Sequence, residues 1–169
     1  HVGVKNSLII SHKIYSEIID NNLIGLIVES LLGWDCKLDN CAFSISRTGE
    51  LSNFFGFHQD SPFEQNPGAK LPPHNYPLVL QCICAVDDFT KDNGSLHVVP
   101  YSHKNRLRIH LPEEGNIRKG ILPNNSQPVY MSSGDVCIAV GNIWHGAKAN
   151  KTDKDRRSFL IEYVSSIIE

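Results

Sequence analysis

After Trp34 the chain breaks into short segments that read as strands. Residues 41–47, 78–87, 95–100, 128–131, 135–141 and 157–164 are rich in β-branched or aromatic residues and are bounded by Gly, Pro, Asn or Asp. Asp92-Asn93-Gly94 and Ser133-Gly134-Asp135 are turn signals among them. The preceding stretch, 10–33, has a different period. Ser11 is placed to cap a first helical segment carrying Ile14, Ile18 and Ile19. A second carries Leu23, Ile24, Ile27, Leu31 and Leu32 at three- and four-residue spacing and ends at Gly33. Helices followed by many short strands predict a mainly β fold: an antiparallel sandwich or jelly roll with helices on one outer face. A mixed α+β sheet is the alternative.

The length of 169 residues fits one domain with a single core, and no repeat or linker divides it. Sixteen basic and 18 acidic residues leave neither a basic excess for nucleic acid nor a charge block for a membrane surface. The longest apolar run, Leu23 to Leu32, is interrupted by Glu29 and is too short to span a bilayer. Residues 61–77 and 104–127 are rich in Pro, Asn and Gly and read as loops long enough to act as lids. The five cysteines, Cys36, Cys41, Cys82, Cys84 and Cys137, are odd in number and not spaced as a disulfide framework. Free thiols in a reducing, cytoplasmic compartment are expected. Cys82 and Cys84 share one face of a strand, where free Cys packs as a small hydrophobe. The chain begins with His, and a piece trimmed from something longer is expected.

Three elements carry chemistry. In Phe57-His58-Gln59-Asp60, residues 58 and 60 point the same way on a strand, so an imidazole and a carboxylate converge. A further nitrogen ligand would complete a facial triad that leaves positions on iron open. His145 is the candidate: it follows the apolar run Val136 to Val140 and precedes Gly146, which permits close approach of backbone to a ligand. Arg156 and Arg157 lie eleven and twelve residues further on. An arginine fork suits a carboxylate, as a dicarboxylic co-substrate held to iron by its 2-oxo acid end would need at its far end. Alternation puts Arg156, Ser158, Leu160 and Glu162 on one face of the last strand, and Arg157, Phe159, Ile161 and Tyr163 on the other. The helices need an apolar sheet surface, which assigns the Phe-Ile-Tyr face to them and turns Arg156 toward the cavity. His97 and His103 are read as structural, and His74 and His110 as loop residues within reach of substrate.

An H-x-D pair alone arises often by chance, but the ordered set of H-x-D, distant His and closing Arg is specific. Over residues 30–165 the chain resembles the phytanoyl-CoA dioxygenase family. The stretch from Asp92-Asn93-Gly94-Ser95-Leu96 to Pro100-Tyr101-Ser102-His103-Lys104 is similar to that family's NG-x-L-x-x-x-PGSHK segment. Gly134-Asp135-Val136 resembles its GD strand opening, and Arg156-Arg157 its closing arginine. The resemblance implies a double-stranded β-helix, the cupin-like jelly roll. It implies His58, Asp60 and His145 as ligands of Fe(II), and Arg156 as the anchor of 2-oxoglutarate. The implied reaction uses O₂ to hydroxylate an aliphatic carbon of a small-molecule substrate, with release of succinate and CO₂. A carboxylate at Asp60 favours hydroxylation, since related halogenases have a small residue there. Tyr101 stands where the family often has Gly, and Ala147 where it often has a Ser that helps hold the co-substrate. Full-length relatives carry more chain before the first helix. The rival readings are a catalytically silent jelly-roll binding module and a cupin-like metalloenzyme that does not use 2-oxoglutarate.

Overall fold

Two short helices lead into seven strands in the computed structural model, which describes residues 13–49, 57–60, 76–104 and 123–167. Helix α1 spans Lys13–Ile19 and α2 spans Asn22–Leu32. Asn21 caps α2, its side-chain oxygen accepting from the Leu23 and Ile24 amides at 3.1 and 3.2 Å. Gly33 ends it at φ 101, with its amide donating to the Glu29 carbonyl. The expected cap of α1, Ser11, lies outside the described residues. The buried stripe of α2 is Ile24, Val28 and Leu32, strictly four apart. This rotates the helix away from the expected face, and Leu23 and Leu31 are exposed.

The strands are β1 (Lys37–Ser46), β2 (Val79–Ala85), β3 (Leu96–Val98), β4 (Gln127–Val129), β5 (Val136–Val140), β6 (His145–Ala147) and β7 (Arg156–Val164). They form a four-stranded sheet in the order β1-β7-β2-β5 and a three-stranded sheet in the order β4-β3-β6. Every strand pairing in both sheets is antiparallel. Two core clusters define the layers. Ile24, Val28 and Leu32 of α2 pack on Cys41, Leu80, Cys82, Phe159, Ile161 and Tyr163, the outer face of the larger sheet. Ile83, Ala85, Phe89, Leu96 and Met131 pack between the sheets, with Leu160 against them. This is a jelly roll with helices on one outer face, and β7 is oriented as the helix-packing argument requires.

Strand β1 starts four residues before the expected boundary. Its added residues, Lys37 to Asn40, are exposed at a sheet edge and polar apart from Leu38, and the register shifts between Leu38 and Asn40. Strand β6 is not among the segments expected from the sequence; His-Gly-Ala has little β propensity and is held by pairing with β3. Asp92-Asn93-Gly94 turns the chain from one sheet to the other. Gly94 sits at φ 79, and a Cβ there would lie 2.8 Å from both the Lys148 carbonyl and Ser46 Oγ. All five cysteines are unlinked. No helix among the described residues is long and apolar enough to cross a membrane.

Candidate metal centre

Backbone pairing delivers the first two candidate ligands. The His58 amide donates to the His145 carbonyl at 2.8 Å, and the His145 amide returns a bond to the His58 carbonyl at 3.0 Å. Residue 58 thereby joins β6 as an antiparallel bridge. Two residues on, the Asp60 amide donates to the Gly141 carbonyl at 2.6 Å, while the Gly141 amide donates to the Val79 carbonyl at 2.8 Å. Asp60 is thus tied to the ends of β5 and β2, in the other sheet. Gln59 points away, its Nε2 donating to the Asn142 carbonyl.

The three side chains converge. His58 Nε2 lies 3.2 Å from Asp60 Oδ1, and His145 Nε2 lies 3.4 Å from Asp60 Oδ2. The imidazole centroids are 4.4 Å apart, and one ligand atom from each residue fits within 4.8 Å of the others. Nδ1–H of His145 donates to the Ile143 carbonyl at 3.0 Å, which fixes the tautomer and aims Nε2 at the convergence point. Burial pushes the His145 pKa down, with Asp60 opposing, so the ring is neutral and its Nε2 lone pair is available. Asp60 Oδ2 is buried without a hydrogen-bond partner among the described residues. Such an orphan is costly, and a cation between the three groups would satisfy it. Two imidazoles and one carboxylate in this arrangement fit a divalent metal with open positions, of the kind non-haem iron uses. The centre is lopsided: the His58 side chain is 46% exposed and that of His145 only 7%, so access lies on the His58 side.

His145 is buttressed by the Pro-Tyr-Ser-His-Lys segment. The Trp144 amide donates to Ser102 Oγ at 2.8 Å, the Val99 amide donates to the Trp144 carbonyl at 2.8 Å, and Asn142 Nδ2 reaches the His103 carbonyl at 3.3 Å. Tyr101, where the similar family often has Gly, takes φ 64 in this turn. His97 is buried on β3 with Nδ1 3.5 Å from Ser126 Oγ, a structural setting. His74 and His110 lie outside the described residues, as does most of the two long loops.

The two adjacent arginines have opposite fates. Arg157 is exposed and forks onto Asp87, with Nε to Oδ2 at 2.8 Å and Nη2 to Oδ1 at 2.7 Å. Arg156 is 4% exposed, with its guanidinium 3.9 Å from the centroid of the Phe89 ring. Among the described residues its Nε has no hydrogen-bond partner and it makes no ion pair. Burial lowers its pKa to about 10, so it stays charged at neutral pH. Ser46 stands opposite Arg156 in the β1–β7 register, and Ser44 stands opposite Ser158; all three serines are buried. A buried cation beside these serines in the register, with no carboxylate partner among the described residues, has the chemistry to receive an anion. Alternation had already put Ser158 on the Arg156 face; Ser44 and Ser46 were not singled out from the sequence, because only the β1–β7 register brings them there. Ala147, opposite Leu96 on the interior face, supplies no hydroxyl.

Fold and centre together define a class: jelly-roll proteins with a two-histidine, one-carboxylate site. The sequence profile of the phytanoyl-CoA dioxygenase (PhyH) family matches residues 12–158, and the chain belongs to that family. It is 29% identical over 113 residues to an uncharacterized protein of Mycobacterium tuberculosis, covering 67% of this chain and 36% of that protein. It is also 29% identical over 146 residues to a multifunctional dioxygenase of Penicillium brasilianum, covering 75% of this chain and 46% of that enzyme. The chain therefore spans less than half the length of these relatives. Among solved structures, apo HygX from Streptomyces hygroscopicus superposes with a TM-score of 0.74 at 15% identity, over 98% of this chain and 72% of that one. The non-heme alpha ketoglutarate dependent epimerase SnoN superposes with a TM-score of 0.66 at 21% identity, over 97% and 61%. At such identities the likeness speaks for the jelly-roll fold.

Proposed function

We propose that the chain is the catalytic core of an Fe(II)- and 2-oxoglutarate-dependent dioxygenase that hydroxylates an aliphatic carbon of a small-molecule substrate. One observation carries the reading: the His58, Asp60 and His145 centre shares its interior with a buried Arg156 that has no ion-pair partner among the described residues. A metal-binding jelly roll without a 2-oxo acid has no use for that cation. Membership of a family named for a dioxygenase, and the dioxygenase relative above, support the same reading.

Iron(II) held there, with 2-oxoglutarate and O₂, would supply oxidative decarboxylation to succinate and CO₂ coupled to oxidation of a C–H bond. The chain's residues do the positioning. His145 offers Nε2 because Ile143 holds the Nδ1 proton. Asp60 offsets part of the metal charge and occupies the position that a halide would need. Arg156, packed over Phe89 and lined by Ser44, Ser46 and Ser158, receives the distal carboxylate of the co-substrate. The intersheet core formed by Ile83, Leu96 and Leu160 keeps water from the inner side of the centre.

The test is succinate release by the purified protein with each of Fe(II), 2-oxoglutarate and O₂ withheld in turn. Dependence on all three is expected. Iron binding without succinate release would point to a silent module. Substrate oxidation that ignores 2-oxoglutarate would point to a cupin-like enzyme.

A further inference from the structure

The interior face of the larger sheet has a second polar end that the proposed chemistry does not use. On β7 the inward residues run Arg156, Ser158, Leu160, Glu162. Arg156 and Glu162 are six residues apart, about 20 Å along a strand. Between them Ala42, Leu160 and Ile83 stand side by side across β1, β7 and β2 as an apolar band. Beyond the band, Asn40 of β1 and Gln81 of β2 both stand opposite Glu162, so a carboxyl is flanked by two amides on one face. The metal centre overlies this end: Asp60 is bonded to Gly141 and Gly141 to Val79, two residues before Gln81.

Resting on the oxygenase reading, we propose that the Asn40–Glu162–Gln81 row selects the substrate, by receiving a positively charged nitrogen of the ammonium class. Glu162 is half-buried, and no described side chain forms an ion pair or hydrogen bond with it. Burial raises its pKa to about 7, and the nearby Asp60 and Asp39 push the same way. Among the described residues no cationic side chain offsets the charge, so the row offers a negative field that a cation satisfies and a neutral hydroxyl uses poorly. The two amides supply carbonyl acceptors for the remaining N–H groups of an ammonium ion. Asn40 is exposed at the edge of the sheet, which leaves the row open to an incoming molecule. The polarity of the face then matches the reaction: an anion end at Arg156 for the co-substrate, and a cation end at Glu162, beside the metal centre, for the substrate.

The test is calorimetric binding of a series of primary alkylammonium ions and the primary alcohols of equal chain length. The protein is loaded with Fe(II) and 2-oxoglutarate without O₂. The wild type is expected to prefer the ammonium ion by about tenfold, the scale of a half-screened ion pair. Glu162→Gln should erase the preference while alcohol binding and metal content stay at the wild-type level, and Glu162→Asp should keep part of it. Equal binding of the two series by the wild type, or a preference that survives in Glu162→Gln, overturns the assignment. Metal and 2-oxoglutarate loading are measured separately on the same samples. Their failure would remove the oxygenase reading, and the ammonium preference would then be read on the metal-free protein.

Discussion

Replacing Arg156 with Ala tests the anion site most sharply, because the neighbouring Arg157 provides an internal control. Arg156 is 4% exposed and its guanidinium lies on the Phe89 ring. Its ion partner in the working enzyme would be the distal carboxylate of 2-oxoglutarate. Removing one member of a buried charge pair costs about 3–5 kcal/mol. At about 1.4 kcal/mol per decade, the 2-oxoglutarate requirement should rise by roughly two to four decades. Arg156→Lys keeps the charge but loses the planar fork, and it should fall between wild type and Arg156→Ala. Arg157→Ala breaks an exposed pair with Asp87 and should leave the requirement unchanged. The assay is succinate release against 2-oxoglutarate concentration, with anaerobic equilibrium dialysis of the co-substrate as a check independent of turnover. Fe(II) binding should be kept in all three variants. Equal effects at 156 and 157, or the reverse ranking, would refute the assignment of β7's faces to the cavity and the helices.

Two further predictions concern the scaffold. Tyr101 is 68% exposed at φ 64, a conformation that costs a non-glycine residue about 1–2 kcal/mol, of which glycine's chain entropy returns roughly 0.5–1. Tyr101→Gly should therefore leave iron binding intact and raise Tm by a few degrees; a fall in Tm would mean that the ring contact with Lys104 outweighs the backbone strain. Burial pushes the Cys82 thiol up to about 12 and Cys41 up to about 11, so both hold their protons at mildly alkaline pH. Alkylation of these two in the native protein should be slow and become rapid on unfolding, as read by intact mass; fast native labelling or a disulfide at either would contradict the packing.

The features legible in the sequence were those written as local rules. Alternation in Phe57–Asp60 put His58 and Asp60 on one side, and alternation in β7 separated Arg156 from Arg157. The need of α2 for an apolar surface then chose which face of β7 turned inward. What was hidden depended on register between distant strands. Strand β6 has no propensity of its own, and its bridge to His58 comes from pairing across 87 residues, between 58 and 145. Ser44 and Ser46 near Arg156 and the amides about Glu162 lie on β1 and β2, and nothing local says which residue of one strand faces which of another. The buried stripe of α2 was misplaced for a related reason. Leu23, Ile24, Ile27 and Val28 are all apolar, so the pattern does not choose a face until the sheet does.

The central claim is that His58, Asp60 and His145 hold the metal that in turn holds the co-substrate. It is tested most directly by anaerobic titration of Fe(II) into wild type and Asp60→Ala, each followed by 2-oxoglutarate binding measured at saturating metal. The account predicts stoichiometric iron in the wild type, co-substrate binding that requires it, and loss of both in Asp60→Ala with the fold retained by circular dichroism. Iron uptake and metal-dependent 2-oxoglutarate binding that are unchanged in Asp60→Ala would contradict it.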